Sequence, residues 1–318
     1  MFSLKDFGGF YIGGMSMQIV GQPIQKVLRN DHTTTDVDFN GEYSNGAMYV
    51  QYYKPSVSDG VYLLIHGGGM SGAVWENAQF SSQSWLKNLL ALNKTVYIID
   101  LVGTGRSGYC PFDVRLSCQK AELRSKERTW THFRFGNLEG YTKKNTYPES
   151  QSSYDIFEDL VKQNIPRWNN YVEPSVEAIQ QLLKRESEWH IIAHSQGADV
   201  AMRLLGEHKV KDILLIEPAA FPSLKDNVNH INKAVSFLYG DYIDEEHSPF
   251  WSELLRKAKT YMGVLTSAGI ATKELHLPDI GIHGNTHVPM CDRNSQEVFL
   301  QAMTLMAEKN IVQLTASS

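Results

Sequence analysis

At 318 residues, the chain is long enough for one large α/β domain with an insertion, or for two small domains. Hydrophobic residues make up 42% and charged residues 20%, the balance of an ordinary globular protein. The net charge of -5 provides no basic face for nucleic acid, and no apolar run approaches the ~18 residues of a membrane span.

The amino terminus, from Met1 to Gly9, lacks the charged-then-apolar layout of a secretion signal. The expectation is a cytoplasmic chain, or one already processed for the periplasm or export. Cys110, Cys118 and Cys291 show no metal spacing. A bond between Cys110 and Cys118 is left open, three free thiols being the simpler expectation.

Residues 1–55 are rich in Gly, Thr, Tyr and Asn, and the segment from Gly46 to Tyr52 reads as an antiparallel edge strand. Buried parallel strands are predicted at 61–65, 95–100, 189–193, 212–216, 234–239 and 272–277. They are short and mostly apolar with little alternation, as expected when helices cover both faces of a sheet. Apolar residues at helical spacing predict helices over 175–185 and 250–268, the second stopping at Gly269, and a last one over 295–309. Alternating strands and helices make a doubly wound α/β sheet.

The span 106–170 is too long for a plain crossover between strands, whose loops run to ~2–6 residues. It is aromatic, with Trp130, Phe133, Phe135, Tyr141 and Phe157, and is broken by Pro111, Pro148 and Pro166. It is expected to be a cap over the carboxyl edge of the sheet, where open α/β folds bind ligands. The core is then 1–105 with 171–318.

Chemistry is expected where Ala193-His194-Ser195-Gln196-Gly197 joins a buried strand to a helix. A serine on that sharp turn projects its hydroxyl above the sheet, beside the first amides of the helix. The usual pattern is G-x-S-x-G, and Ala193 is small enough to keep the turn tight. The simplest alternative is a strand ending in a serine helix cap. A serine nucleophile needs a base, itself oriented by a carboxylate. Loops at sheet carboxyl ends offer Glu217, Asp241 or Asp244 as acid, and His283 or His287 as base. Oxyanion donors are expected from the amide of Gln196 and from the loop His66-Gly67-Gly68-Gly69.

Gly103 to Gly108 formally matches G-x-G-x-x-G, but Pro111 and Phe112 follow where a helix should open. The span from Asp100 to Ser107 is instead expected to be a tight turn shaping the pocket floor. His283 and His287 have the spacing of a metal pair, yet Gly284 and Asn285 oppose the required helix and a third ligand is lacking. No metal is expected. His66 and His194 are expected to hold backbone rather than to react.

Taken in order, several segments carry a resemblance. They are Phe10 to Gly14, Gly46 to Val50, His66-Gly67, Asp100 to Ser107, Phe133-Arg134-Phe135-Gly136, His194-Ser195-Gln196, Glu217-Pro218, His283 to His287 and Asp292-Arg293-Asn294. Together they resemble the α/β-hydrolase superfamily, and within it the bacterial esterases with a Ser-Glu-His triad, over nearly the whole chain. The resemblance implies an α/β-hydrolase fold, with a mostly parallel central sheet, helices on both faces and an inserted cap. It matches the acid to Glu217, with Asp241 and Asp244 as runners-up, and the base to His287 ahead of His283. Those esterases carry adjacent cysteines after His-Gly, capable of a vicinal disulfide, where this chain has Gly68-Gly69. The first oxyanion donor is therefore expected at Gly68 without that stiffening.

The expected activity is hydrolysis of small-molecule carboxylic esters through an acyl-enzyme, with no cofactor. Acyl transfer, lactone or thioester cleavage by the same triad, and a non-catalytic ligand-binding relative, are the alternatives. A homodimer is left open.

Overall fold

The computed structural model describes residues 3–76, 84–108, 122–168, 170–223 and 233–307. Strand β1 (Leu4–Ile19) leads through a small antiparallel hairpin, β2 (Gln25–Leu28) and β3 (Thr34–Val37), into β4 (Gly41–Pro55). Then come β5 (Val61–Ile65), β6 (Thr95–Asp100), β7 (Trp189–His194), β8 (Val210–Ile216), β9 (Ala234–Tyr239) and β10 (Ala271–His276). The main sheet has the order β1-β4-β6-β5-β7-β8-β9-β10. From β6 to β10 all pairings are parallel, whereas β4 runs antiparallel to both β6 and β1. This is the α/β-hydrolase fold. Residues 46–52 are antiparallel as expected, but they are not an edge: they lie in β4, paired on both sides, and β1 takes the edge position.

Period-2 side-chain alternation explains why the central strands are mostly apolar. Leu63, Ile65, Ile191, Leu215 and Phe237 enter the core on one face, packed by the helices Val172–Leu182, Gly197–Arg203 and Pro249–Ser267. Leu64, Ile98, Ile192, Leu214 and Leu238 enter the other, packed by Trp85–Ala91 and Ser295–Ala307. Both faces are covered, so most positions are apolar, with Ser236 of β9 a buried exception.

Expectation and structure differ in detail. Strand β10 is shifted one residue from 272–277 and is only partly buried, because β9 alone flanks it. The helix expected at 175–185 runs over Val172–Leu182 and finishes as a 3-10 turn, Leu183–Arg185. Cys110 and Cys118 lie outside the described residues, and Cys291 is a free, buried thiol. The turn after β6 is present but does not reach the pocket. Its Asp100 carboxylate is engaged by the Arg106 backbone and side chain, at 2.8 and 2.7 Å, and by the Gly72 amide, at 2.7 Å.

Within 106–170 the described residues form the helices Lys126–His132, Leu138–Lys143 and Tyr154–Val161. Trp130, Phe135 and Phe157 are buried among them, with the Trp130 and Phe157 rings edge-to-face at 5.0 Å. Much of the aromatic content of this span is thus a local core.

Candidate active site

Ser195 sits at the junction of β7 and the helix Gly197–Arg203, with φ at +53°. A left-handed conformation at a residue with a side chain costs on the order of 1–3 kcal/mol and survives only when its surroundings impose it. The Ser195 amide donates to Ile216 O at 2.9 Å, and its carbonyl accepts from the amides of Ala198 and Ala219, each at 3.1 Å. Gly197 must be glycine here, since a Cβ would lie 2.6 Å from His66 O. At Gly67 a Cβ would meet the Ser195 Cβ at 2.9 Å, and at Gly68 it would run into the Gln196 side chain. The glycine run therefore lets the loop after β5 close directly onto the serine turn.

The Ser195 hydroxyl donates to His287 Nε2 at 3.0 Å, and His287 Nδ1 faces Glu217 Oε2 at 3.3 Å. All three residues are buried. Glu217 directly follows β8 at φ +50°, held by its amide on Leu238 O at 2.8 Å. Its other oxygen, Oε1, accepts from Arg134 Nη2 at 2.6 Å and from the Gly240 amide at 2.5 Å. Arg134 is itself buried and also donates through Nε to Asp241 O at 2.7 Å.

His287 is positioned by backbone on both sides. The His287 amide donates to Phe133 O at 2.9 Å, and His194 Nε2 donates to His287 O at 2.8 Å. The Trp251 and Phe133 rings lie 4.1 and 4.9 Å from the imidazole, centroid to centroid. Burial, followed by the charges of His194 and Arg134, holds His287 well below the ordinary histidine value. Burial likewise lowers His194, to about 4. Neutral imidazole is the form that accepts a proton.

The other candidates lie apart from this line of contacts. The Asp241 carboxylate is taken up by the amides of Tyr242 and Gly284, at 2.7 and 2.8 Å. Asp244 is engaged by the backbone and ring of exposed His247. The ring of His283 is half exposed and faces Asp241 at 3.8 Å. His66 donates from Nδ1 to Gly67 O at 2.7 Å and accepts the Leu101 amide on Nε2 at 3.0 Å, a backbone-holding role.

Two supporting residues had no role assigned from sequence. Arg134 lies in a quoted segment, but its partner is 83 positions away. Buried Asp292 accepts from the Thr286 amide at 2.8 Å, from the Thr286 hydroxyl at 2.9 Å and from Asn285 at 3.1 Å. It thereby shapes the loop that carries His287.

Gly68, Ser195, Gln196 and His287 line a cavity of about 190 Å³, together with Phe133, Ala219, Phe250 and Trp251. A second cavity, of about 480 Å³, lies at the opposite, amino ends of β5, β7 and β8, beside Tyr62, His190 and Asp212. Among the described residues, its lining includes no serine or cysteine. Among the described residues, no helix is long and apolar enough to cross a membrane. Nor do any three His, Cys, Asp or Glu side chains group so as to hold a metal ion.

A family model for the alpha/beta hydrolase fold matches residues 61–250. The chain belongs to the α/β-hydrolase family. This α/β hydrolase is 24% identical over 189 residues to a "Probable secreted lipase phiG" of a fungal species (strain ATCC 74256). That match covers 57% of this chain and 52% of the lipase, so the chain spans about half the length of the curated relative it matches. Among solved structures, a bacterial esterase superposes with a TM-score of 0.77 at 23% identity, covering 96% of each chain. That likeness extends the shared fold over nearly the whole hydrolase, including the strands before residue 61.

Proposed function

We propose that this α/β hydrolase is a serine esterase that cleaves small carboxylic esters through an acyl-enzyme, with Ser195, His287 and Glu217 as its triad. The observation that carries the reading is the unbroken contact line from the Ser195 hydroxyl through the imidazole to the Glu217 carboxylate, at 3.0 and 3.3 Å. Ser195 Oγ attacks the ester carbonyl while His287 Nε2 takes its proton. Glu217 keeps Nδ1 protonated and stabilises the imidazolium as it forms. The amides of Gly68 and Gln196 receive the oxyanion, each contributing about 3 kcal/mol by analogy with measured donors. His287 then delivers its proton to the departing alcohol, and a water activated by the same imidazole releases the acid. The span 106–170 acts as the cap, since its described residues wall the cavity. The named relatives, a lipase and an esterase, are in line with this reaction.

The test is Ser195→Ala assayed with p-nitrophenyl acetate. The expected result is a loss of kcat/KM of about 10³-fold or more, with an unchanged circular dichroism spectrum. Retention of full activity by this variant removes Ser195 from the reaction.

A further inference from the structure

We infer that the cavity beside Ser195 accepts esters that carry an anionic group, a carboxylate or its equivalent, bound by Arg124 and Arg167. The inference rests on the esterase reading and specifies its substrate class. Among the described residues, four charged side chains line the cavity: Arg124, Arg128, Arg167 and, alone of opposite sign, Glu122. Glu122 is already shared, at 2.9 Å from Arg128 and 3.3 Å from Arg167. Arg124 makes no ion pair among the described residues. Its guanidinium lies over the Phe133 ring, 5.1 Å from the centroid.

Burial, then repulsion from Arg167, lowers Arg124 to about 10, which leaves it charged at neutral pH. On Arg167 the Nε atom is buried without a hydrogen-bond partner. The Arg167 stem also reaches the oxyanion loop, because a Cβ on Gly68 would lie 2.9 Å from its Cδ. Unmatched cations drawn out of water are costly, and a wall that needed only to exclude water would be apolar. A carboxylate on the substrate supplies the missing countercharge and fits the planar donor fork of a guanidinium. The cavity is small beside the ~300–1,000 Å³ of sites for drug-sized ligands, so the ester is short.

The experiment uses two matched pairs, one for each half of an ester. Mono-p-nitrophenyl glutarate against p-nitrophenyl valerate places the charge on the acyl side. Against its methyl ester, 4-acetoxybenzoate places it on the alcohol side. The rate of spontaneous hydrolysis, which the free carboxylate of the glutarate accelerates by internal attack, is subtracted from each. In at least one pair the anionic member should be favoured in kcat/KM by tenfold or more, a preference that shrinks as salt rises. Arg124→Met should bring the ratio close to one, and Arg124→Lys should keep part of it. Neutral esters favoured in both pairs, or a preference that survives both Arg124→Met and Arg167→Met, overturns the inference. If no ester is hydrolysed, the esterase reading fails and the anion site is judged by binding alone. Calorimetry of monomethyl glutarate with Ser195→Ala then decides. Binding weakened tenfold by adding Arg124→Met sustains the site, and absence of binding ends it.

Discussion

Ser195 and Glu217 share an uncommon backbone state: each carries a side chain in the left-handed region, at φ +53° and +50°. Both occur directly after a parallel strand, and in both the strained residue is a member of the contact line, which is where folds tend to hold such strain. The proposal of Glu217 as the acid rests on engagement rather than on proximity to the sheet edge. Glu217 presents Oε2 to His287, while the Asp241 carboxylate is occupied by two backbone amides. Replacing Glu217 by Gln should therefore lower kcat/KM by on the order of 10³–10⁴-fold, as loss of a triad carboxylate does elsewhere. Asp241→Asn should cost far less, and the opposite ranking in an ester assay would move the acid to the loop after β9. From residues alone the serine turn proposed to carry the nucleophile was legible, because strand, tight turn and helix are all local. The choices between Glu217 and Asp241, and between His287 and His283, were narrowed by resemblance rather than by spacing. Both members of each pair stand at sheet carboxyl ends, and only tertiary hydrogen bonds separate them.

Elements were legible in proportion to how completely they are enclosed. Strands β5, β6 and β9 are buried along their whole length and matched the predicted limits residue for residue. The edge position of β10 was hidden, because strand order does not follow chain order. The attachment of the inserted span was hidden too, since it runs through Arg134, whose φ of +61° and long-range partners leave no local periodic signal. The span meets the elements around the candidate site at the Arg134–Glu217 pair, at Phe133 O beneath the His287 amide, and at His132 O, which accepts Trp251 Nε1 at 2.5 Å. The ion pair is fully buried, with side chains 1% and 0% exposed. Removing one partner strands the other charge away from water, at a cost of about 3–5 kcal/mol, whereas removing both does not. Urea unfolding of Arg134→Met, Glu217→Gln and the double variant should thus show strong non-additivity, the double losing clearly less than the sum. Losses that add within about 0.5 kcal/mol would mean that the pair is not coupled.

The molecule as a whole gathers neutral histidines around the candidate site. Burial lowers His66, His194 and His287, and burial with the arginine charges beginning at Arg124 lowers His132 to about 3. In the unfolded chain each would titrate near 6.5. As pH falls through that value the unfolded state takes up protons that the folded state refuses, so stability declines. The slope approaches about 1.4 kcal/mol per pH unit for each histidine. Asp292 acts in the opposite sense. Its folded value is raised by burial to about 6, above an unfolded value near 3.9, so it binds a proton on acidification and offsets one of the four. The net effect is a loss of several kcal/mol between pH 6.5 and pH 5, set against a total stability of ~5–15 kcal/mol. Urea midpoints measured from pH 7.5 downward should be nearly level at first and then fall steeply. A flat profile to pH 5 would show that these rings are not held neutral. His194→Gln separates this from general acid denaturation, because it removes a single titrating site. Whatever that substitution does to stability at pH 7.5, the slope below 6.5 should ease by about one proton's worth, 1.4 kcal/mol per unit. An unaltered slope would place the acid sensitivity in groups other than the buried rings.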